Sequence, residues 1–255
     1  LRYTGAELNI IRKNPDSIKL HGVLCFPDLY DIGMSHFGLQ ILYHIVNKRE
    51  GWALSRSFNP WIDAEKLMRD LKIPLYTLEY YSPVRSADWV GFSVQYELQF
   101  TNIVNMLDLA GIHVFSKERE EHEPLIIAGG PCVANPEPLA PFVDAFALGD
   151  GEQTIVNICT VLENAKKEGL SRQKKIELLS EIPGLYVPSL VQMEKAGKYI
   201  VPLDGQRSVA AAKIDSLGKE NYPERPLVPL IEVVHSRLAV EVMRGCTRGC
   251  RFCSA

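Results

Sequence analysis

No apolar run in this sequence approaches the ~18 residues of a membrane-spanning helix. Its first residues lack the basic, apolar and small-residue order of a secretory signal. Charge bias is also missing: the net charge of −3 gives no reason to expect non-specific nucleic-acid binding. There is no internal repeat and no low-complexity tract. No Ser-His-Asp or Cys-His grouping stands in a context that points to nucleophilic catalysis. Glu120-Glu121 lies in a charged run and suits a solvated face. Gly149-Asp150-Gly151 is too short for a dinucleotide fingerprint. What is left is the composition of a globular chain, 46% apolar and 23% charged, long enough for one large domain or two small ones.

Cysteine is scarce but unevenly placed. Cys25, Cys132 and Cys159 are scattered in apolar settings and read as small buried hydrophobes. The other three crowd the run Met243-Arg244-Gly245-Cys246-Thr247-Arg248-Gly249-Cys250-Arg251-Phe252-Cys253, spaced C-x3-C-x2-C. Three thiolates on one loop can ligate three irons of a 4Fe-4S cube. A zinc knuckle or three inert thiols are the competing readings. No fourth protein ligand follows Cys253, which leaves either truncation or an iron kept open. Gly245 and Gly249 let backbone approach a cluster closely. Arg244, Arg248 and Arg251 would offset its negative charge. A reduced thiol trio implies a reducing compartment, so a cytoplasmic location is expected.

Ahead of this loop the chain alternates strands and helices. Residues 1–18 form an N-terminal arm. Val23–Phe26, Leu54–Phe58, Leu75–Leu78, Trp89–Val94, Leu125–Ala128 and Val143–Leu148 read as strands, most of them apolar enough to be buried on both faces. Ser35 looks like the N-cap of a helix to Lys48, and Asp63 caps one to Leu71 with Leu67, Met68 and Leu71 inward. Thr101–Ala110 is helical with Gly111 as C-cap, and another helix runs from Gly151 to Lys167. Such alternation predicts a doubly wound, Rossmann-type α/β domain over residues 19–170, with ligands at the carboxyl edge of its parallel sheet. Residues 171–236 follow as a short charged helix, a β-hairpin pairing Leu185–Pro188 with Lys198–Pro202, and a proline-rich linker. The apolar run Leu238–Val242 reads as a strand leading into the cysteines.

The cysteine motif, together with Asp31–His44, Gly91–Glu97 and Ile127–Cys132, resembles the cobalamin-binding radical SAM proteins, in particular an uncharacterised group often fused to a further domain of unknown function. The resemblance implies that Cys246, Cys250 and Cys253 ligate a 4Fe-4S cluster. Its open iron would be chelated by S-adenosylmethionine and yield a 5′-deoxyadenosyl radical, with Phe252 near the adenine. It implies a cobalamin-binding-like domain with the corrin and nucleotide tail among Gly33, His36, Gly129, Gly130, Gly149, Gly151 and Glu152. It also implies methyl transfer or a radical rearrangement on an unknown substrate, and a reducing electron donor such as flavodoxin or ferredoxin. On this reading residues 237–255 begin a partial TIM barrel that continues past the given sequence, and the piece alone has no turnover. The alternative is a non-catalytic cobalamin- or nucleotide-binding module with a zinc-stapled tail. The family's D-x-H-x-x-G signature is not met: Met34 stands at the Asp position, and Gly38 follows His36 by two residues. His36 therefore lacks the usual orienting carboxylate, and Asp31 reaches it only through a turn.

Overall fold

The computed structural model describes residues 1–203, 209–251 and 253. Its centre is a six-stranded sheet. β1 (Leu20–Phe26) is followed by α1 (Tyr30–Gly33) and α2 (Phe37–Asn47), then β2 (Trp52–Phe58) and α3 (Ile62–Leu71). β3 (Trp89–Ser93), α4 (Phe100–Ala110), β4 (Leu125–Gly129), β5 (Ala145–Ala147), α5 (Gly151–Lys167) and α6 (Arg172–Ser180) come next. β6 (Leu185–Tyr186) closes the sheet in the order β2-β1-β3-β4-β5-β6. The first five strands are parallel, and β6 runs antiparallel to β5.

Burial on both faces explains why these strands read as continuous apolar runs. Leu20, Leu24, Trp89, Ile127 and Ala145 pack against α2 and α5 on one side. Val23, Val90, Phe92 and Ile126 pack against α3 and α4 on the other. Each such side chain, fully buried, contributes roughly 1.5–3 kcal/mol of transfer free energy. From β1 the chain winds first to β2 and then crosses to β3 on the opposite side. That reversal puts a topological switch point between the carboxyl ends of β1 and β3.

Several expectations are corrected. Leu75–Leu78 is not a strand: it makes one isolated bridge, Tyr76 to Pro83, in a segment bounded by Pro74 and Pro83, which cannot donate to a ladder. Leu185 and Tyr186 do not join the hairpin, because the open edge of β5 takes them. The hairpin is instead β7 (Met193–Ala196) with β8 (Tyr199–Pro202), turning at Gly197 with φ of +63°. On α3 only Met68 is buried, because Leu67 and Leu71, four residues apart, share the solvent face. The cap of α2 is His36 and not Ser35, since a short α1 occupies the preceding loop. Leu238–Val242 forms no strand: no neighbour among the described residues offers it a ladder, and Leu238, Val240 and Val242 are exposed.

The N-terminal arm packs on the body. Its Glu7 reaches the guanidinium of Arg56, which Glu79 holds at 2.7 Å from the other side. Tyr30 donates to Glu7 at 2.9 Å, and all three charged groups are buried. Among the described residues no helix is long and apolar enough to cross a membrane.

Candidate functional site

Where α2 and α5 cover the carboxyl half of the sheet, the layer is hollow. Side chains on this face shrink toward the strand ends, from Trp89 to Gly91 and Ser93, from Ile127 to Gly129, and to Ala147 on β5. The result is a cavity of about 590 Å³ lined by these residues, by Phe37, Ile41 and Leu42 of α2, and by Gly151, Ile155 and Ile158 of α5. Trp89 forms part of its wall; its indole N–H is buried and has no hydrogen-bond partner among the described residues. The polar lining is sparse: His36, Ser93, Gln95, Asp150, Glu152, Thr154, Glu241 and Arg244. An apolar slot with a few convergent polar groups, placed at the switch point, is the usual form of a small-ligand site.

His36 is fixed from two sides. Its Nδ1 accepts the Leu39 N–H at 3.3 Å, capping α2, so the ring proton lies on Nε2, which donates to Gln95 Oε1 at 3.0 Å. Burial pushes its pKa down, with the Gln95 bond opposing that shift, so the neutral ring is favoured. Both ring nitrogens are engaged; metal ligation by His36 requires breaking the cap or the Gln95 bond. Asp31 does not orient it, because that carboxylate pairs with Arg2 at 2.6 Å.

The expected glycines divide. Gly129, Gly130, Gly149 and Gly151 converge on the cavity with His36 and Glu152. Gly33 does not; it sits in α1 under the Phe58 and Phe26 rings, where an added Cβ would lie 2.4 Å from Phe58. Gly130 has φ of +105° and lies so close to Val94 that a Cβ would fall 2.5 Å from its carbonyl oxygen. Gly149, at φ of +91°, bridges to Ala212. These two glycines answer first to backbone packing.

Over the mouth runs the segment before the cysteines. Ala239 and Val240 line the cavity, and Arg244 enters a set of carboxylates, Asp150, Glu152 and Glu241. The hydrogen bonds that Arg244 donates to Glu241 and Glu152 raise its pKa and keep it charged. This corrects the expected role of Arg244 as a counter-charge to a cluster. Beyond it, Gly245 turns the chain with φ of +75°, and Cys246, Cys250 and Cys253 are exposed. The Arg248 N–H donates to Cys246 Sγ at 3.4 Å, and the Cys253 N–H to the Cys250 carbonyl at 3.1 Å. Among the described residues no three His, Cys, Asp or Glu side chains are placed to hold a metal ion together, the cysteines included. Phe252 lies outside the described residues.

Gly91, Ser93 and Ala147 line the cavity beyond the residues expected there, and small residues at alternate positions near strand ends are the sequence signal for them.

An uncharacterized protein of Methanocaldococcus jannaschii is 27% identical over 190 residues, which cover 73% of this chain and 34% of that protein. Two structures of the radical S-adenosylmethionine methyltransferase TsrM of Kitasatospora setae superpose at 14% identity. One holds tryptophan and a SAM analogue, covers 66% of this chain and 28% of its own, and has a TM-score of 0.41. The other, with cobalamin and a [4Fe-4S] cluster, covers 71% and 30% at 0.40. The chain thus spans about a third of the length of these proteins. A family model described as "Radical SAM proteins, N-terminal" matches residues 38–188, from the start of α2 to just past β6. That match takes in both helices over the cavity and more than half of the sequence, so the chain belongs to the radical SAM proteins, N-terminal family.

Proposed function

We propose that this chain is the N-terminal part of a radical SAM enzyme, in which Cys246, Cys250 and Cys253 hold a 4Fe-4S cluster that binds S-adenosylmethionine. The α/β cavity takes part of a second, bulky cofactor, for which cobalamin is the choice. The observation that carries this is the shared wall: the segment that leads into the cysteines, residues 239–244, also lines the mouth of the switch-point cavity. Two binding regions for one reaction need that adjacency.

The residue types present suit both groups, although the thiols would have to draw together around a cluster. Three thiol donors on a glycine-turned loop suit an iron cube, and a backbone N–H already points at one sulfur. The cavity is apolar, aromatic-walled and open at the carboxyl edge, as an inserted nucleotide tail requires. When bound, the cluster with S-adenosylmethionine supplies a radical source, and cobalamin supplies a transferable methyl group or a rearrangement centre. The chain contributes binding and orientation. Gly129 and Gly151 leave room at the mouth, and Trp89 and Ile158 exclude water from the interior. His36 orients the mouth through Gln95 in place of ligating metal, because its nitrogens are committed. The expected class of reaction is methyl transfer or another radical rearrangement, with a reducing protein as electron donor and a cytoplasmic location.

The test is anaerobic reconstitution of the full-length protein. About four irons per chain, lost on Cys250→Ala, together with retention of hydroxocobalamin, are expected. One colourless zinc per chain would overturn the cluster, and failure to retain hydroxocobalamin would remove the second cofactor.

A further inference from the structure

Arg244 stands two residues before Cys246, yet its guanidinium points away from the cysteine loop. Its Nη1 donates to Asp150 at 3.1 Å, its Nε and Nη2 to Glu241 at 2.7 and 2.9 Å, and its Nη2 also to Glu152. Asp150 is the N-cap residue of α5, and its second oxygen accepts the Ile214 N–H at 2.8 Å. Glu152 lies in the first turn of α5 and is only 6% exposed. Glu241 in turn accepts from Tyr222 at 2.9 Å, and the Tyr222 ring stacks on Phe37 at the start of α2. The guanidinium therefore ties the cysteine segment to the start of α5, and its partner Glu241 reaches α2 through Tyr222 and Phe37. Within residues 237–251, Arg244 alone forms ion pairs with the α/β body, among the described residues.

An isolated surface pair would be worth little. This one differs in being partly buried, forked and shared by three carboxylates, the geometry in which arginine is not replaceable by lysine. Without it, Asp150, Glu152 and Glu241 would face one another with no cation between them. Their repulsion would push residues 239–243 off the cavity mouth.

We propose that Arg244 is a positioning residue. It clamps the segment carrying Cys246, Cys250 and Cys253 across the mouth of the cavity, so that a ligand held in the cavity and a group held on the cysteines keep one fixed separation. The inference deepens the proposed function and rests on it for the ligand, but the clamp itself is testable without any ligand.

The experiment is hydroxyl-radical footprinting of full-length protein, reading oxidation of the half-buried mouth side chains Phe37 and Leu42 in wild type, Arg244→Ala, Glu152→Gln and the double variant. Each single change is expected to speed their oxidation about threefold, with the double no faster than either single, since both break one linkage. Arg244→Lys recovers part of the shielding. Equal oxidation in wild type and Arg244→Ala, or additive effects in the double variant, would overturn the clamp. A second arm uses iron-free protein and measures alkylation of Cys246 and Cys250 with and without hydroxocobalamin. Slower alkylation on ligand addition in wild type, and no slowing in Arg244→Ala, is expected. Identical slowing in both proteins would overturn the coupling. If wild type binds no hydroxocobalamin, the cofactor assignment fails, and the footprinting result alone decides the clamp.

Discussion

Strand β3, Trp89-Val90-Gly91-Phe92-Ser93, and the run Leu238-Ala239-Val240-Glu241-Val242 are equally strand-like in sequence. In the structure Trp89, Val90 and Phe92 are 1–2% exposed, whereas Leu238, Val240 and Val242 are 71–83% exposed. β3 has β1 on one side and β4 on the other, and two helical layers above and below. The later run has one arginine clamp and no ladder. A strand is thus a property of its neighbours as much as of its residues. The same contrast separates the two regions: the packed sheet shapes a cavity, and the exposed run crosses its mouth and leads on to the cysteines.

The most forceful way to break the comparison is to cut the same kind of side chain from each side. Phe92→Ala is expected to cost about 3–5 kcal/mol in urea unfolding, by lost burial and a cavity. Val240→Ala is expected to stay within about 0.5 kcal/mol. Equal losses would mean that residues 238–242 are as well packed as the sheet.

A second substitution separates the cavity from the fold. Gly129 has ordinary backbone angles, and an added Cβ would meet nothing nearer than Ala147 at 3.7 Å. Gly129→Ile should therefore fill the mouth, cutting hydroxocobalamin affinity at least about tenfold, for a stability change of about 1 kcal/mol or less. Unchanged affinity, read by equilibrium dialysis, would remove the cavity from the binding site.

The smallest effect is expected from pH. Burial lowers the pKa of His36, so between that value and its ordinary value near 6.5 the unfolded chain binds more protons than the folded one. Stability therefore falls as pH drops below about 6.5. Asn is also a good N-cap, so His36→Asn should keep the helix start and flatten that fall. His21 and His44, whose pKa values are likewise lowered mainly by burial, add to the fall, while His113, raised by its hydrogen bond to Glu123, opposes it. Identical urea midpoints against pH in both proteins would contradict the burial of a neutral His36.

The βα alternation was legible because parallel strands covered on both faces leave unbroken apolar runs, as at Val23–Phe26 and Leu125–Ala128. Leu185–Tyr186 was not, since hairpin and sheet edge compete for the same two residues, and only the open side of β5 decides. The convergence of Gly129, Gly130, Gly149 and Gly151 followed from their places after strands. Gly33 looked identical in sequence, but its neighbour is the Phe58 ring, which comes from a strand 25 residues later. Arg244 was placed beside the thiols on proximity in the chain. Its carboxylate partners on α5 lie 92 and 94 residues earlier, a distance no local pattern reports.

The opening residues carry a consequence for anyone dissecting this molecule. Glu7 supplies one of the two carboxylates around Arg56, whose side chain is fully enclosed. Cutting the polypeptide at the first strand would leave that cation facing a single acid. A shortened version would be weakened at its centre, so the minimal piece for study begins before Glu7, well ahead of where the apolar pattern starts.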